Sequence, residues 1–323
     1  MRKDCMNTLI TGNCGFIGSH FLRYMMNTYP NDSFICLDAL TYAGNEENIK
    51  DLLGDERLKQ YVGTICDAKL VESIFSTYRL DIVVHFAAET HVDRSIAGPQ
   101  VFLETNVIGT GVLLDACLRH GGVRFHHVST DEVYGALPLG EGKPFTESDS
   151  LQPTSPYASS KASSDLLALS YYKTYGLPVT VSRCSNNYGA HQYPEKLIPL
   201  MIQKALHDEP LPVYGDGLNV RDWIHVLDHC RGIDVILQKG TPGEVFNIGA
   251  NEEVTNIDLV KRILDCLGKP YELITYVDDR LGHDRRYAIN SGKLRTLGWK
   301  PECTLGDTLG EVVEWYRTVF IER

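Results

Sequence analysis

NTLITGNCGFIGSHF, residues 7–21, runs from a short apolar strand through three glycines into a helical pattern. Gly12, Gly15 and Gly18 stand between the strand and a helix predicted to begin around Phe16. Glycines at such a junction permit a tight turn and let backbone N–H groups and the helix N-terminus approach a pyrophosphate. The spacing is G-x-x-G-x-x-G rather than G-x-G-x-x-G, so the loop alone is a weak signal, with a plain glycine-rich turn as its minority reading. Twenty residues beyond Gly18, Asp38 closes the next apolar run, where a carboxylate can accept hydrogen bonds from both hydroxyls of an adenosine ribose. It would repel a 2′-phosphate, which favours NAD over NADP; alone, Asp38 also suits a turn into LTYAGN (40–45). Loop and acid together predict a dinucleotide site.

Outward from this unit, short apolar runs recur with helical lengths between them: MNTLI (6–10), FICLD (34–38), DIVVHFA (81–87), RFHHVS (124–129) and PVTVSR (178–183). That alternation indicates an α/β fold with a doubly wound parallel sheet, covered on both faces. Residues 1–187 are expected to form a Rossmann-like NAD-binding domain, with a strand near 244–250 (EVFNIGA) returning to it. Residues 188–323 are expected to form mainly a smaller α/β substrate-binding lobe. It would hold a helix near 196–207, a second over 256–268 with Gly268 as its C-cap, and an amphipathic helix through LGDTLGEVVEWYRTVF (305–320).

The 323 residues are 43% hydrophobic, enough for a large packed core. A net charge of −11 supplies no basic field for nucleic acid or an anionic membrane, so neither partner is expected. The nine cysteines include no C-x-x-C pair and no Cys/His cluster at metal-ligand spacing, which predicts reduced thiols, a cytoplasmic protein and no metal. The amino terminus runs into the first strand without the apolar core of a leader, and no uninterrupted apolar stretch reaches the ~18 residues of a membrane span.

Two further stretches carry chemistry. SPYASSKASSD (155–165) starts a helix at Pro156 and places Tyr157 and Lys161 four residues apart on one face. An ammonium near a phenol favours the ionised phenol, which could take the proton of an alcohol while its hydride leaves. HHVSTDEVYG (126–135) ends a strand in Thr130, Asp131 and Glu132. Adjacent carboxylates there are a poor finish to a core element unless they serve as an acid/base pair, or unless Thr130 caps a turn and both acids are solvated.

With TGxxGFIG (11–18), AAETHVDRSI (87–96), TNVIGT (105–110), RCSNNYG (183–189), PEKLIPL (194–200), VYGDGxxVRDWIHV (213–226) and DRLGHDRRYAI (279–289), the chain resembles the extended short-chain dehydrogenase/reductases. More closely, it resembles the nucleoside-diphosphate-glucose 4,6-dehydratases, over residues 7 to the final helix. The resemblance implies bound NAD that is recycled internally and a nucleotide-sugar substrate, dTDP-glucose or, with the same chemistry, UDP-glucose. Tyr157 with Lys161 and Thr130 would serve the oxidation at C4, Glu132 would be the C5 base and Asp131 the acid at the C6 hydroxyl. Cofactor contacts would fall on Gly12, Gly15, Phe16, Ile17, Gly18, Asp38, Thr41, Thr64, Ile65, Ala87, Ala88, Thr105, Tyr157, Lys161 and Asn186.

Substrate contacts would fall on Thr90, Thr130, Asn187, Lys196, Leu197, Pro212, Tyr214, Arg221, Asn256, Arg280 and His283. The resemblance also implies a homodimer joined through helices at roughly 99–118 and 156–174. The chain departs from the pattern at Asn13-Cys14, where small residues are usual, at Thr64, where an adenine-contacting acid is usual, and at Thr90, where serine is common. A nucleotide-sugar 4-epimerase would have no use for the second acid at Asp131, and a non-catalytic dinucleotide sensor none for Tyr157 and Lys161.

Overall fold

The computed structural model describes residues 5–140, 142–279 and 282–321. In chain order the larger unit comprises β1 (Asn7–Thr11), α1 (Phe16–Thr28), β2 (Ser33–Asp38), β3 (Leu58–Val62), α2 (Ala68–Thr77) and β4 (Ile82–His85). It continues through α3 (Val92–Ala97), α4 (Gln100–Arg119), β5 (Arg124–Thr130), α5 (Pro156–Tyr175) and β6 (Val179–Cys184). There follow β7 (Asn186–Tyr188), α6 (Leu197–Leu206), β8 (Leu211–Tyr214), β9 (Val220–His225), α7 (Val226–Lys239) and β10 (Val245–Ile248). The chain ends with β11 (Glu253–Thr255), α8 (Asn256–Leu267), β12 (Ile274–Val277), α9 (Gly292–Thr296) and α10 (Leu305–Ile321).

Seven strands form one sheet in the order β10-β6-β5-β4-β1-β2-β3, and every pairing in it is parallel. Successive strand residues point to opposite faces, so neighbours feed different cores. Ile10, Phe34 and Val84 pack with Phe21 of α1 and Ile233 of α7 on one face. Leu9, Ile35 and Val83 pack with Ile74 of α2, Leu113 of α4 and Ala168 of α5 on the other. Burial on both faces is why these strands read as unbroken apolar runs. The edge strand β3, LKQYV, does not read that way: only Leu58 of its five residues is buried, and it is absent from the strands expected from sequence.

The second lobe has a three-stranded sheet, β11-β9-β7, and a two-stranded one, β12-β8. Its core joins Ile198 and Ile202 of α6, Trp223 of β9, Ile263 of α8, and Leu309 and Tyr316 of α10. Gly268 closes α8 in the left-handed conformation at φ +63°.

One helix corrects the reading of apolar length. Gln100–Arg119 has a mean hydropathy of 1.5 over its best 18-residue window and could cross a membrane by length and composition. A helix is expected at roughly 99–118, but not as a long apolar stretch, because Glu104, Asn106 and Asp115 interrupt the run. It lies against the sheet, with Leu113, Leu114, Ala116 and Cys117 fully enclosed. Residues Leu103–Gly109 of this helix take the wider π form.

Candidate active site

The carboxyl ends of β1, β2, β4, β5 and β6 converge on a cavity of about 420 Å³, the position where open α/β sheets bind ligands. The glycine loop forms one wall. Gly12 has φ +74°, and a Cβ there would lie 2.6 Å from Ala87 N; a Cβ on Gly18 would lie 2.1 Å from the Gly12 carbonyl oxygen. Backbone, not a flexible side chain, fills both spaces, so these glycines are required by close approach. Asn13 and Cys14 are not among the positive-φ residues, so the loop tolerates them. The Asn13 amide donates to Gln60 Oε1 of β3 at 2.7 Å, and Cys14 N–H donates to Asp38 Oδ2 at 2.9 Å.

Asp38 ends β2 with its carboxylate on the cavity; Oδ1 accepts a 2.8 Å bond from Leu40 N–H. Burial raises its pKa, while these two backbone donors oppose the shift. Thr64 also reaches the cavity, but its hydroxyl accepts from Cys66 N–H at 3.2 Å and so caps its own turn. The loop after β4 is fixed from behind: Asn106, in the π-helical turn, accepts from Glu89 N–H at 2.8 Å and donates to Glu89 O at 3.0 Å and Ser160 Oγ at 2.8 Å. These bonds hold Ala87, Ala88 and Thr90 at the cavity wall.

Thr130, Asp131 and Glu132 pass from β5 into a short 3₁₀ turn. The Thr130 hydroxyl accepts from Glu132 N–H at 3.3 Å and donates to Asp131 Oδ1 at 3.4 Å. The cap read from sequence is present, but Asp131 beside it is enclosed rather than solvated. Asp131 is only 3% exposed, and its Oδ2 is enclosed without a hydrogen-bond partner. Burial pushes its pKa well up; the Glu132 and Asp222 carboxylates add to the rise, against Arg221. This carboxyl is built to hold a proton.

α5 brings Tyr157 and Lys161 to the same cavity, with Ser155 as N-cap and Pro156 in its first turn. Lys161 Nζ donates to the Val128 carbonyl of β5 at 2.9 Å, and burial draws its pKa down to about 8. The Tyr157 phenol is set chiefly by its burial. Burial raises that phenol well above its ordinary value, Glu132, Cys184 and Asp131 add to the rise, and a hydrogen bond from Thr130 opposes it. Lys161 lies one helical turn from this phenol, and its own bond goes to the backbone.

All the cofactor positions expected from sequence line this cavity, as do Thr90, Thr130, Asn187 and Lys196 of the substrate set. Asn187 Oδ1 faces His229 Nδ1 at 2.9 Å, and Lys196 Nζ donates to Thr90 O at 3.3 Å. The other described substrate candidates lie outside it. Leu197 opens α6, Pro212 and Tyr214 lie on β8, and Asn256 opens α8. Arg221, on β9, donates to the Asp284 carbonyl at 2.9 Å and lies over the Tyr287 ring, while the His283 ring stands 6.1 Å from that of Tyr214. Arg280 is outside the described residues.

Sequence reasoning missed Glu89, Tyr42 and Tyr193, which also line the cavity, and Asn106 behind it. At the mouth Arg94 stacks 3.9 Å over Tyr42 and pairs with Glu195 at 3.0 Å, while Tyr42 meets Tyr193 edge-on. The motifs AAETHVDRSI, TNVIGT and LTYAGN contain Glu89, Asn106 and Tyr42 without showing their roles, because their partners come from distant segments.

A parallel sheet with a glycine loop, an acid closing β2 and a Tyr–Lys helix on one cavity defines the extended short-chain dehydrogenase/reductase class. The family model described as GDP-mannose 4,6 dehydratase matches residues 9–312. A dTDP-glucose 4,6-dehydratase of Streptomyces antibioticus is 49% identical over 318 residues, covering 97% of this chain and 92% of that one. The crystal structure of dTDP-glucose 4,6-dehydratase from Streptomyces venezuelae, with NAD bound, superposes with a TM-score of 0.93 at 50% identity, covering 97% of each chain. A UDP-glucose 4-epimerase of Thermotoga maritima, solved with UDP-glucose, gives 0.90 at 32% identity, covering 97% of this chain and 99% of that one. The chain belongs to this 4,6-dehydratase family, and within it stands with the dTDP-glucose 4,6-dehydratases.

Proposed function

We propose that the chain catalyses the NAD-dependent 4,6-dehydration of dTDP-glucose, giving dTDP-4-keto-6-deoxyglucose and water. The observation that carries this reading is the enclosed acid Asp131 beside Glu132, on the same cavity as Tyr157 and Lys161. The glycine loop, with no room for side chains at Gly12 and Gly18, and the Asp38 carboxylate fit a dinucleotide. When bound, NAD takes the C4 hydride of the sugar and returns it to C6, so no net oxidation results.

Around that exchange the residues divide the proton work. Tyr157, on the same cavity wall as Thr130, takes the O4 proton. Lys161 sits one helical turn away, anchored to Val128 O, and supplies the positive charge that a buried phenolate needs. Once C4 is a ketone the C5 proton is acidic, and Glu132 removes it while Asp131, protonated through its burial, gives its proton to the departing C6 hydroxyl. An epimerase needs no such second pair. Thr90, Asn187 and Lys196 face the sugar and phosphates, and Arg221, Asn256 and His283 serve the nucleotide end, where Arg suits bidentate phosphate contact.

We assign NAD to residues 1–187 together with the strand at 245–248, and the nucleotide-sugar mainly to 188–323. A homodimer through α4 and α5 is supported by Leu103 (51% exposed), Ile108 (61%) and Leu166 (59%), apolar side chains left in solvent on these two helices. Nine free thiols suit a cytoplasmic setting.

Incubation with dTDP-glucose and with UDP-glucose, without reductant, tests the reading through the alkali-induced absorbance of a 4-keto-6-deoxy sugar. Signal with dTDP-glucose supports it. A galactose nucleotide as product would make the chain an epimerase, and turnover of UDP-glucose alone would move the base assignment.

A further inference from the structure

Tyr157, Lys161 and Asp165 follow one another at four-residue intervals on α5 and so share one helical face. Asp165 is completely enclosed and lies beyond the residues assigned to the reaction. Its Oδ2 accepts a 2.9 Å bond from Arg183 Nε of β6, and its Oδ1 faces His127 Nε2 of β5 at 3.4 Å. The same ring nitrogen stands 3.5 Å from Lys161 Nζ. Arg183, 3% exposed, donates from its other end to the Tyr134 hydroxyl at 2.8 Å, which is bonded to Asn247. A column of alternating sign thus runs through the interior: phenol, ammonium, carboxylate, guanidinium.

We propose that Asp165 is a positioning residue for the C4 oxidation: held by Arg183, its carboxylate keeps Lys161 an ammonium in a site that otherwise favours the neutral amine. The inference rests on the dehydratase reading and adds to it a residue that touches neither sugar nor NAD. A buried ammonium without a counter-charge loses its proton. The other groups facing Lys161 cannot take this part. His85 of β4 and His127 of β5 are held neutral by burial, the thiol of Cys184 on β6 is held protonated, and Tyr157 is the group to be served. Asp165 is the largest influence opposing the burial that draws Lys161 down. Its own pKa lies below the usual value through hydrogen bonding from His127 and the charge of Arg183, so it is ionised.

The test follows the Lys161 amine directly. Full-length, NAD-loaded protein is labelled competitively with acetic anhydride across pH, and Lys161 acetylation is read by mass spectrometry in wild type, Asp165→Asn, Arg183→Gln and Asp165→Glu. The Asp165→Asn midpoint should fall by about one pH unit or more, Arg183→Gln, which removes the charge that keeps the carboxylate ionised, should move it the same way by less, and Asp165→Glu should restore it. With dTDP-glucose, the alkaline limb of kcat should move with each midpoint while KM stays put. A purely structural pair would leave the midpoint of the folded variants where it is in wild type. A folded Asp165→Asn protein with the wild-type midpoint overturns the inference. If Asp165→Asn does not fold, Arg183→Gln decides; if neither folds, the pair is scaffold and the inference is wrong. Labelling needs no turnover, so a wild type inert toward dTDP-glucose sinks the functional reading separately.

Discussion

The carboxyl of Asp131 is enclosed against the charge of Glu132, its neighbour in the chain. Burial and the neighbouring charge both favour the protonated form of Asp131, which suits it to donate a proton. Replacing Asp131 by Asn keeps the shape and removes the transferable proton. In Asp131→Asn the 4-keto product should form about 10²–10⁴ times more slowly, while C4 oxidation survives as enzyme-bound NADH seen by its absorbance. An unchanged product rate would remove Asp131 from the mechanism. The same variant should unfold a few degrees higher at pH 8 but not at pH 4. A raised folded pKa lowers stability as pH climbs from the unfolded value of 3.8 through the folded one, and the amide does not titrate.

Asp38 holds two backbone N–H groups, one from Cys14 and one from Leu40, as well as facing the cavity. Asparagine has a single acceptor oxygen, so Asp38→Asn leaves one of these donors unpaired as well as weakening the ribose site. The expected loss is about 1–3 kcal/mol of NAD binding, roughly 10- to 100-fold in Kd, without a matching gain for NADP. Calorimetric titration with both dinucleotides checks it, and an Asp38→Asn protein with wild-type NAD affinity would contradict it.

Gly18→Ala would place a methyl group 2.1 Å from the Gly12 carbonyl oxygen, which must move. Since Gly12 itself has backbone behind it at Ala87, the loop has nowhere to shift without opening. The purified variant should carry well under one NAD per chain and melt lower than wild type. Full retention of NAD after gel filtration would mean the loop is softer than its packing indicates.

The double burial of β1, β2, β4, β5 and β6 made those strands legible, because each residue there meets a core on one face or the other. β3 escaped because it lies at the sheet edge and carries Lys59 and Gln60 in its middle. Tyr157, Lys161, Asp131 and Glu132 were legible because each pair is local in sequence. Asn106 was not, since its bonds reach back 17 residues to Glu89 and forward 54 to Ser160. The anchoring of Lys161 also escaped a one-dimensional reading: helical spacing shows it one turn from Tyr157 but not that its ammonium is bonded to Val128. Asp165 appears in SPYASSKASSD only as another helical polar residue, and its partner Arg183 comes from a different strand.

Four histidines, His85, His126, His127 and His229, are at most 1% exposed. Burial holds their pKa values below the ordinary 6.5: His127 at about 4, His229 at about 3, and the other two well down. A group whose folded pKa is depressed binds its proton only on unfolding, so its stabilising effect is complete above pH 6.5 and is lost as pH falls toward the folded value. Each such histidine contributes a slope of about 1.4 kcal/mol per pH unit in that window. Asp131 and Asp222, with raised pKa values, oppose it, Asp222 from about pH 6 downward. The net expectation is a protein that weakens steeply between pH 6.5 and 4.5, measured by urea unfolding at half-unit steps. His126→Gln isolates one contributor, because glutamine offers both a donor and an acceptor to Thr180 and Ser182, which the ring now meets at 2.9 and 3.1 Å. Its stability curve should be flatter than wild type by about 1.4 kcal/mol per pH unit below 6.5. Parallel curves would show that His126 is not held neutral in the folded state.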